Sequence, residues 1–151
     1  MLPTELSGYT GYLVRRAQQV HAALWLKATR SEITSVQFGV LSLLESNDGI
    51  DQRALGELLP LARSTIADVV LRLEKRGLLA RVRDSVDRRR NLLSLTESGR
   101  SELAGLWSHA ERVNEELVSG LDEVDRAELN RLLQLLVHSR VAEQVIGSGE
   151  E

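Results

Sequence analysis

Two groups of side chains between Arg63 and Leu95 have types and spacings that point to chemistry. In the first, Ser64, Thr65, Asp68 and Arg72 recur at helical spacing. They lie opposite an apolar stripe of Ile66, Val69, Val70 and Leu73, which fall at i, i+3, i+4 and i+7. Short hydroxyls in the first turn of a helix suit an anion, because the backbone N–H groups there lack partners and the helix dipole is positive. An arginine on the same face can reach a guanine edge or a phosphate. Asp68 is the odd member, since phosphate repels a carboxylate. It either accepts from a cytosine amino group or orients an arginine. In the second group, Asp87, Arg88, Arg89 and Arg90 share a polar segment that starts at Asp84. Both groups suit the recognition of a phosphate backbone and its base edges.

These residues need a helix and a hairpin to position them. Gly77 ends the helix just behind Lys75 and Arg76, as a C-terminal glycine after basic residues should. Leu78 to Arg83 then alternates, with Leu78, Ala80 and Val82 on one face and Leu79, Arg81 and Arg83 on the other, which predicts a strand. Asn91 to Leu95 is a second strand, and Asp84 to Arg90 becomes a hairpin tip. Helix, strand, basic hairpin, strand is the outline of a winged helix-turn-helix, whose helix fits a major groove and whose wing fits the minor groove beside it.

The flanking elements are helical. Residues 1–7 read as a short arm. A first long helix is expected from Gly8 to about Thr29, with Tyr9, Leu13, Ala17, Val20 and Leu24 as its apolar positions and His21 and Trp25 as i, i+4 neighbours. Thr34-Ser35-Val36-Gln37 is a capping-box pattern opening a second helix, with Phe38, Leu41 and Leu44 inward and Asn47-Asp48-Gly49 as its stop. Asp51 caps a short third helix, Gln52 to Leu59, and Pro60 stands in the turn to the recognition helix. After the wing, Thr96 caps a helix running to about Ser119, lined by Leu103, Leu106, Trp107, Ala110, Val113 and Leu117. Ser119-Gly120 breaks it, and Asp122 caps a last helix whose apolar face holds Leu129, Leu132, Leu133, Leu136 and Val137, with Leu135 beyond. That is more leucine than one small domain needs, and burial against a second subunit, with the first helix joining in, explains the surplus.

The expected fold is therefore mainly α: a winged helix-turn-helix with long N- and C-terminal helices forming a dimerisation region. The divisions are 1–33 for the N-terminal dimerisation helix, 34–96 for the DNA-binding domain, 97–146 for the C-terminal dimerisation helices and 147–151 for a tail without order.

A chain of 151 residues, 27% charged and 42% hydrophobic, is ordinary for a globular protein, and with no cysteine it has no disulfide, thiolate zinc site or thiol redox sensor. No secretory signal or membrane span is visible, so the cytoplasm is the expected compartment. The net charge of −3 looks wrong for a DNA partner, but it is unevenly spread: residues 63–96 carry a net +5 and residues 97–151 a net −7. The local patch governs phosphate binding, and the acidic third should face away from DNA. There is no glycine-rich phosphate loop, no GxSxG and no HExxH around His21, His109 or His138, so no catalytic residue, metal ligand or cofactor is nominated.

The run Asp87-Arg88-Arg89-Arg90-Asn91-Leu92-Leu93-Ser94-Leu95-Thr96-Glu97-Ser98-Gly99 resembles the wing signature of the MarR (multiple antibiotic resistance regulator) family, an Asp-x-Arg followed by a strand ending Leu-Thr and then a glycine. Arg63-Ser64-Thr65 and Leu73-Glu74-Lys75-Arg76-Gly77-Leu78 resemble that family's recognition helix and its exit, while Ala62 departs from the acidic residue many members carry there. The resemblance implies a homodimeric transcription regulator that binds double-stranded DNA, with Arg89 entering the minor groove and Asp87 bracing it by a salt bridge. Arg63, Ser64, Thr65, Asp68, Arg72, Asp87, Arg88, Arg89 and Arg90 form the expected DNA-binding set. It also implies a small aromatic effector held between the dimerisation helices and the DNA-binding lobe. Tyr12, Arg15, Arg16, His21 and Trp25 are the candidate lining, with an arginine for a carboxylate or phosphate and rings to stack on an aromatic group. Gly11 to His21 is similar to members that control aromatic catabolism, some of which respond to an aromatic acyl-CoA such as a hydroxycinnamoyl-CoA. The function expected is a repressor released from an inverted-repeat operator by such a ligand; the alternative is a DNA-binding regulator controlled by a metal ion or a protein partner.

Overall fold

The computed structural model describes residues 4–29, 32–59 and 61–139. Pro60 and the 147–151 tail lie outside them. A one-turn helix, α1 (Thr4–Ser7), precedes α2 (Thr10–Ala28), so part of the expected arm is helical and the first long helix starts slightly later than its apolar pattern suggested. Then come α3 (Ser35–Ser46), the two-residue strand β1 (Ile50–Asp51), α4 (Gln52–Leu58), α5 (Arg63–Lys75), β2 (Leu79–Arg83), β3 (Asn91–Leu95), α6 (Glu97–Leu117) and α7 (Glu123–Val137).

Four helices, α3, α4, α6 and α7, begin where their cap residues placed them. Thr34 and Gln37 form a reciprocal capping box, the Gln37 N–H donating to Thr34 Oγ1 at 3.2 Å and the Thr34 N–H to Gln37 Oε1 at 3.0 Å. Asp51, Thr96 and Asp122 accept from the N–H of Ala54, Gly99 and Asp125 at 2.8, 3.0 and 2.9 Å. Gly77, at φ +71°, ends α5 in the left-handed conformation that a side chain would resist.

The sheet is antiparallel in the order β1-β3-β2, so the hairpin strand β3 is central. Leu79 pairs with Leu95, Arg81 with Leu93 and Arg83 with Asn91. Of the two faces that the alternation separates, the inward one is that of Leu79: Leu79, Leu93 and Leu95 are buried, whereas Ala80 is exposed and Val82 is 63% exposed. Leu78 and Leu79 are both buried, because they straddle the helix exit and the strand entry. Arg81, on the Leu79 face, donates its guanidinium to the Glu74 carboxylate on α5.

The core gathers Ile33 and the inner faces of α3 to α6: Val40, Leu41 and Leu44; Leu55; Ile66, Val70 and Leu73; Leu103, Leu106 and Val113. The predicted apolar stripe of α2 behaves otherwise. Tyr9, Leu13 and Val20 are exposed and Leu24 is half-buried; the residue that α2 sinks into the core is Trp25, 4% exposed, whose indole N–H donates to the Ile33 carbonyl at 2.7 Å. Phe38 lies between Trp25 and Trp107, with ring centroids 5.2 and 5.0 Å away, and so joins α2, α3 and α6. No residue of α7 is buried.

Candidate nucleic-acid interface

The recognition helix α5 buries Ile66, Val69, Val70 and Leu73, so its other side is free to face outward. Arg63, Ser64, Thr65, Asp68 and Arg72 are all exposed there. Arg72 and Asp68 form an i, i+4 ion pair at 3.0 Å, the contact expected of a carboxylate that orients the arginine. The N-cap position of α5 is Ala62, whose side chain supplies no cap to the first turn.

The wing has a different internal order from the one the resemblance implied. Asp87 accepts the backbone N–H of Arg89 at 3.0 Å, and its carbonyl accepts the N–H of Arg90 at 2.9 Å. Among the described residues no ion pair joins Asp87 to the Arg89 guanidinium; the brace acts through the main chain, because the carboxylate two residues back is placed to close an Asx-type turn. Asp84 does the same for Val86, accepting its N–H at 2.9 Å. Arg88 and Arg89 remain exposed at the tip.

Arg90 makes a contact that the sequence does not announce. Its Nε donates to Asp51 Oδ2 at 3.1 Å, its Nη2 donates to the same oxygen, and its Nη1 stands 4.0 Å from Asp84 Oδ2. Asp51 therefore holds two donors, the Ala54 N–H and the Arg90 guanidinium, and these two, in that order, lower its carboxyl below the usual carboxylate value. The sequence shows Asp51 as a helix cap but not as a partner for a residue 39 positions on.

The recognition helix is locked to the helix that follows the wing. Thr96 Oγ1 donates to the Gly77 carbonyl at 2.6 Å while accepting from the Gly99 N–H, and the Thr96 N–H donates to the Leu78 carbonyl at 3.2 Å. This is the physical content of the Leu-Thr-x-x-Gly pattern: threonine and glycine stitch the exit of α5 to the entry of α6.

The five candidate effector residues do not converge in one chain. His21 and Trp25 stand together, ring centroids 6.3 Å apart, whereas Arg16 donates to Gln19 at 3.1 Å. At about 100° per residue, Tyr12 and Arg16 lie on roughly the opposite side of α2 from His21 and Trp25. Arg15 and Arg16 are exposed, Tyr12 and His21 half-buried and Trp25 is a core residue. Two open concavities, one on α7 and one between α6 and α7, contain none of the five. Among the described residues no group of three or more His, Asp or Glu gathers to hold a metal ion, and no helix is long and apolar enough to cross a membrane.

Residues 33–90 match the model of the MarR family, and the fold is shared with solved relatives along nearly the whole chain. The PcaV transcriptional regulator of Streptomyces coelicolor, in complex with its natural ligand, is 40% identical, with a TM-score of 0.85 over 92% of this chain and 99% of that one. The chain belongs to the MarR family. The transcriptional repressor CouR, bound to a 23-mer DNA duplex, is 33% identical, with a TM-score of 0.84 over 91% and 99% of the two chains. BpsR of Bordetella bronchiseptica, whose DNA binding is regulated by 6-hydroxynicotinic acid, is 29% identical, with a TM-score of 0.85 and the same coverage. PcaV and CouR are transcription regulators, and as a member of their family this chain is a DNA-binding regulator.

Proposed function

We propose that this MarR-family protein is a homodimeric, cytoplasmic transcription repressor that leaves an inverted-repeat operator when a small aromatic acid, or its CoA thioester, binds. The observation that carries the DNA half is the exposed face of α5 continuing into a wing tip with Arg88 and Arg89 outermost, all within the one segment of net +5 charge. A dimer sets two such helices into successive major grooves about 34–36 Å apart, while the wing arginines take the flanking minor grooves. Residues 34–96 then read DNA, and α2, α6 and α7 carry the dimer.

The effector half draws support from BpsR, whose DNA binding is regulated by 6-hydroxynicotinic acid, and from PcaV, solved with its natural ligand. Arg15 and Arg16 supply cations for a carboxylate or CoA phosphate, and Tyr12, His21 and Trp25 supply rings. Because these lie on two sides of α2, the site is assembled with the second subunit. A ligand that prefers the wrong lobe spacing then releases DNA by population shift.

The test is binding of the purified protein to its own upstream DNA, titrated with aromatic acids and their CoA thioesters. Release by one of them at micromolar level is the expected result; specific binding that none disturbs transfers the control to a metal or protein partner. Arg89→Ala should weaken binding about tenfold and lower the salt dependence by about one counterion. An unchanged salt slope would remove Arg89 from the contact set.

A further inference from the structure

Of the three consecutive wing arginines, Arg90 alone is engaged by a carboxylate of another element among the described residues. Asp51 stands at the end of β1, paired with Leu92 of β3, and at the N-cap of α4. Its side chain is 14% exposed, so it is a shielded acceptor, and Arg90 is half out in solvent at 51%. The Arg90 carbonyl also accepts the Asp84 N–H at 3.0 Å, closing the base of the wing. One residue thus ties both arms of the hairpin to the first turn of the helix-turn-helix.

We propose that Arg90 is a positioning residue rather than a DNA ligand: hooked on Asp51, it fixes the wing to the start of α4 and so presents Arg88 and Arg89 at a set angle to α5. The proposal rests on the DNA-binding reading and deepens it. A guanidinium that already holds a shielded carboxylate would leave that carboxylate without its partner if it swung to a phosphate, whereas the side chains of Arg88 and Arg89 hold no carboxylate among the described residues. The wing's spread relative to the recognition helix is set by this clasp, because the remaining contacts of the tip are local turns.

Two variants separate the clasp from the cap. Asp51→Ser keeps a good N-cap acceptor for the Ala54 N–H but is too short to hold Arg90; Arg90→Ala removes the clasp from the other side. Both should weaken operator binding by about three- to tenfold with an unchanged salt slope, and the double variant should be no worse than either single one. Amide exchange at Asp84 and Arg90 should quicken several-fold in DNA-free Asp51→Ser protein, beyond the modest loss of stability that removing the carboxylate brings to the whole fold. If Arg90 instead grips a phosphate, Arg90→Ala lowers the salt slope by about one and Asp51→Ser tightens binding by freeing the arginine; either result overturns the proposal. Failure of the unaltered protein to bind specific DNA defeats the DNA reading itself, and unchanged amide exchange defeats the clasp independently.

Discussion

One hydrogen in place of a methyl group lets the recognition helix meet the helix behind the wing. A Cβ on Gly99 would stand 1.9 Å from the Leu78 carbonyl oxygen and 2.9 Å from its carbon. Those atoms are main chain and are held by Thr96, so they have no rotamer with which to yield. Gly99→Ala should therefore lower stability by about 3 kcal/mol or more, at or beyond the upper end of ordinary overpacking. Gly105, two turns along the same helix, meets nothing within 4 Å, and Gly105→Ala should add about 0.5–1 kcal/mol by removing unfolded-chain freedom. Urea unfolding of the two variants checks the contrast, and similar midpoints would show that the Leu78 contact relaxes. The sequence marked Gly99 only as part of a pattern. Its reason lies in a backbone approach between residues 21 positions apart in the chain, which no local spacing reveals. The same holds for Arg90: a run of three arginines reads as three equal contacts until Asp51 is found beside the last.

At the scale of elements, helix starts were legible because a cap is a local device. Thr34, Asp51, Thr96 and Asp122 each reach a donor three residues on. Strand facing was less so: alternation in Leu78–Arg83 fixes a period, but the inward choice depends on Leu93 and Leu95 of the partner strand and on Glu74, which lets Arg81 share the buried side. The start of α4 makes a pH prediction. Its Asp51 carboxyl is held low, first by the Ala54 N–H and then by Arg90. A carboxyl depressed in the folded state stabilises fully above its unfolded value of about 3.9, and the contribution is lost as pH falls through the lower folded value. Asp51→Asn keeps a cap acceptor but has no charge to titrate. The gap in urea midpoint between the unaltered protein and Asp51→Asn should be present at pH 7 and shrink below about pH 4. A gap that stays constant to pH 3 would mean that Asp51 does not report the ion pair.

For the whole molecule, the surplus of leucine in the last helix finds no cover among the described residues. Leu132 and Leu136 are each 50% exposed, and Val124, Leu133, Leu135 and Val137 are exposed with them. At the other end of the chain Tyr9, Leu13, Val14 and Val20 of the N-terminal region are exposed as well. Exposed apolar residues in this number are unusual on a monomer and suit a subunit interface, which for paired recognition helices is also a functional need. The residues that would give way are not those that hold the subunit together, since α7 buries nothing in its own chain. Leu132→Asp with Leu136→Asp should therefore leave helical content intact while converting the dimer to monomer, as read by sedimentation at micromolar concentration. Operator affinity should fall at least about a hundredfold, because two half-sites then bind separately and the effective concentration of the second is lost. A variant that still sediments as a dimer would place the interface elsewhere. A monomer that binds the operator as tightly as the unaltered protein would detach dimerisation from DNA recognition, and with it any control exerted through the spacing of the two lobes.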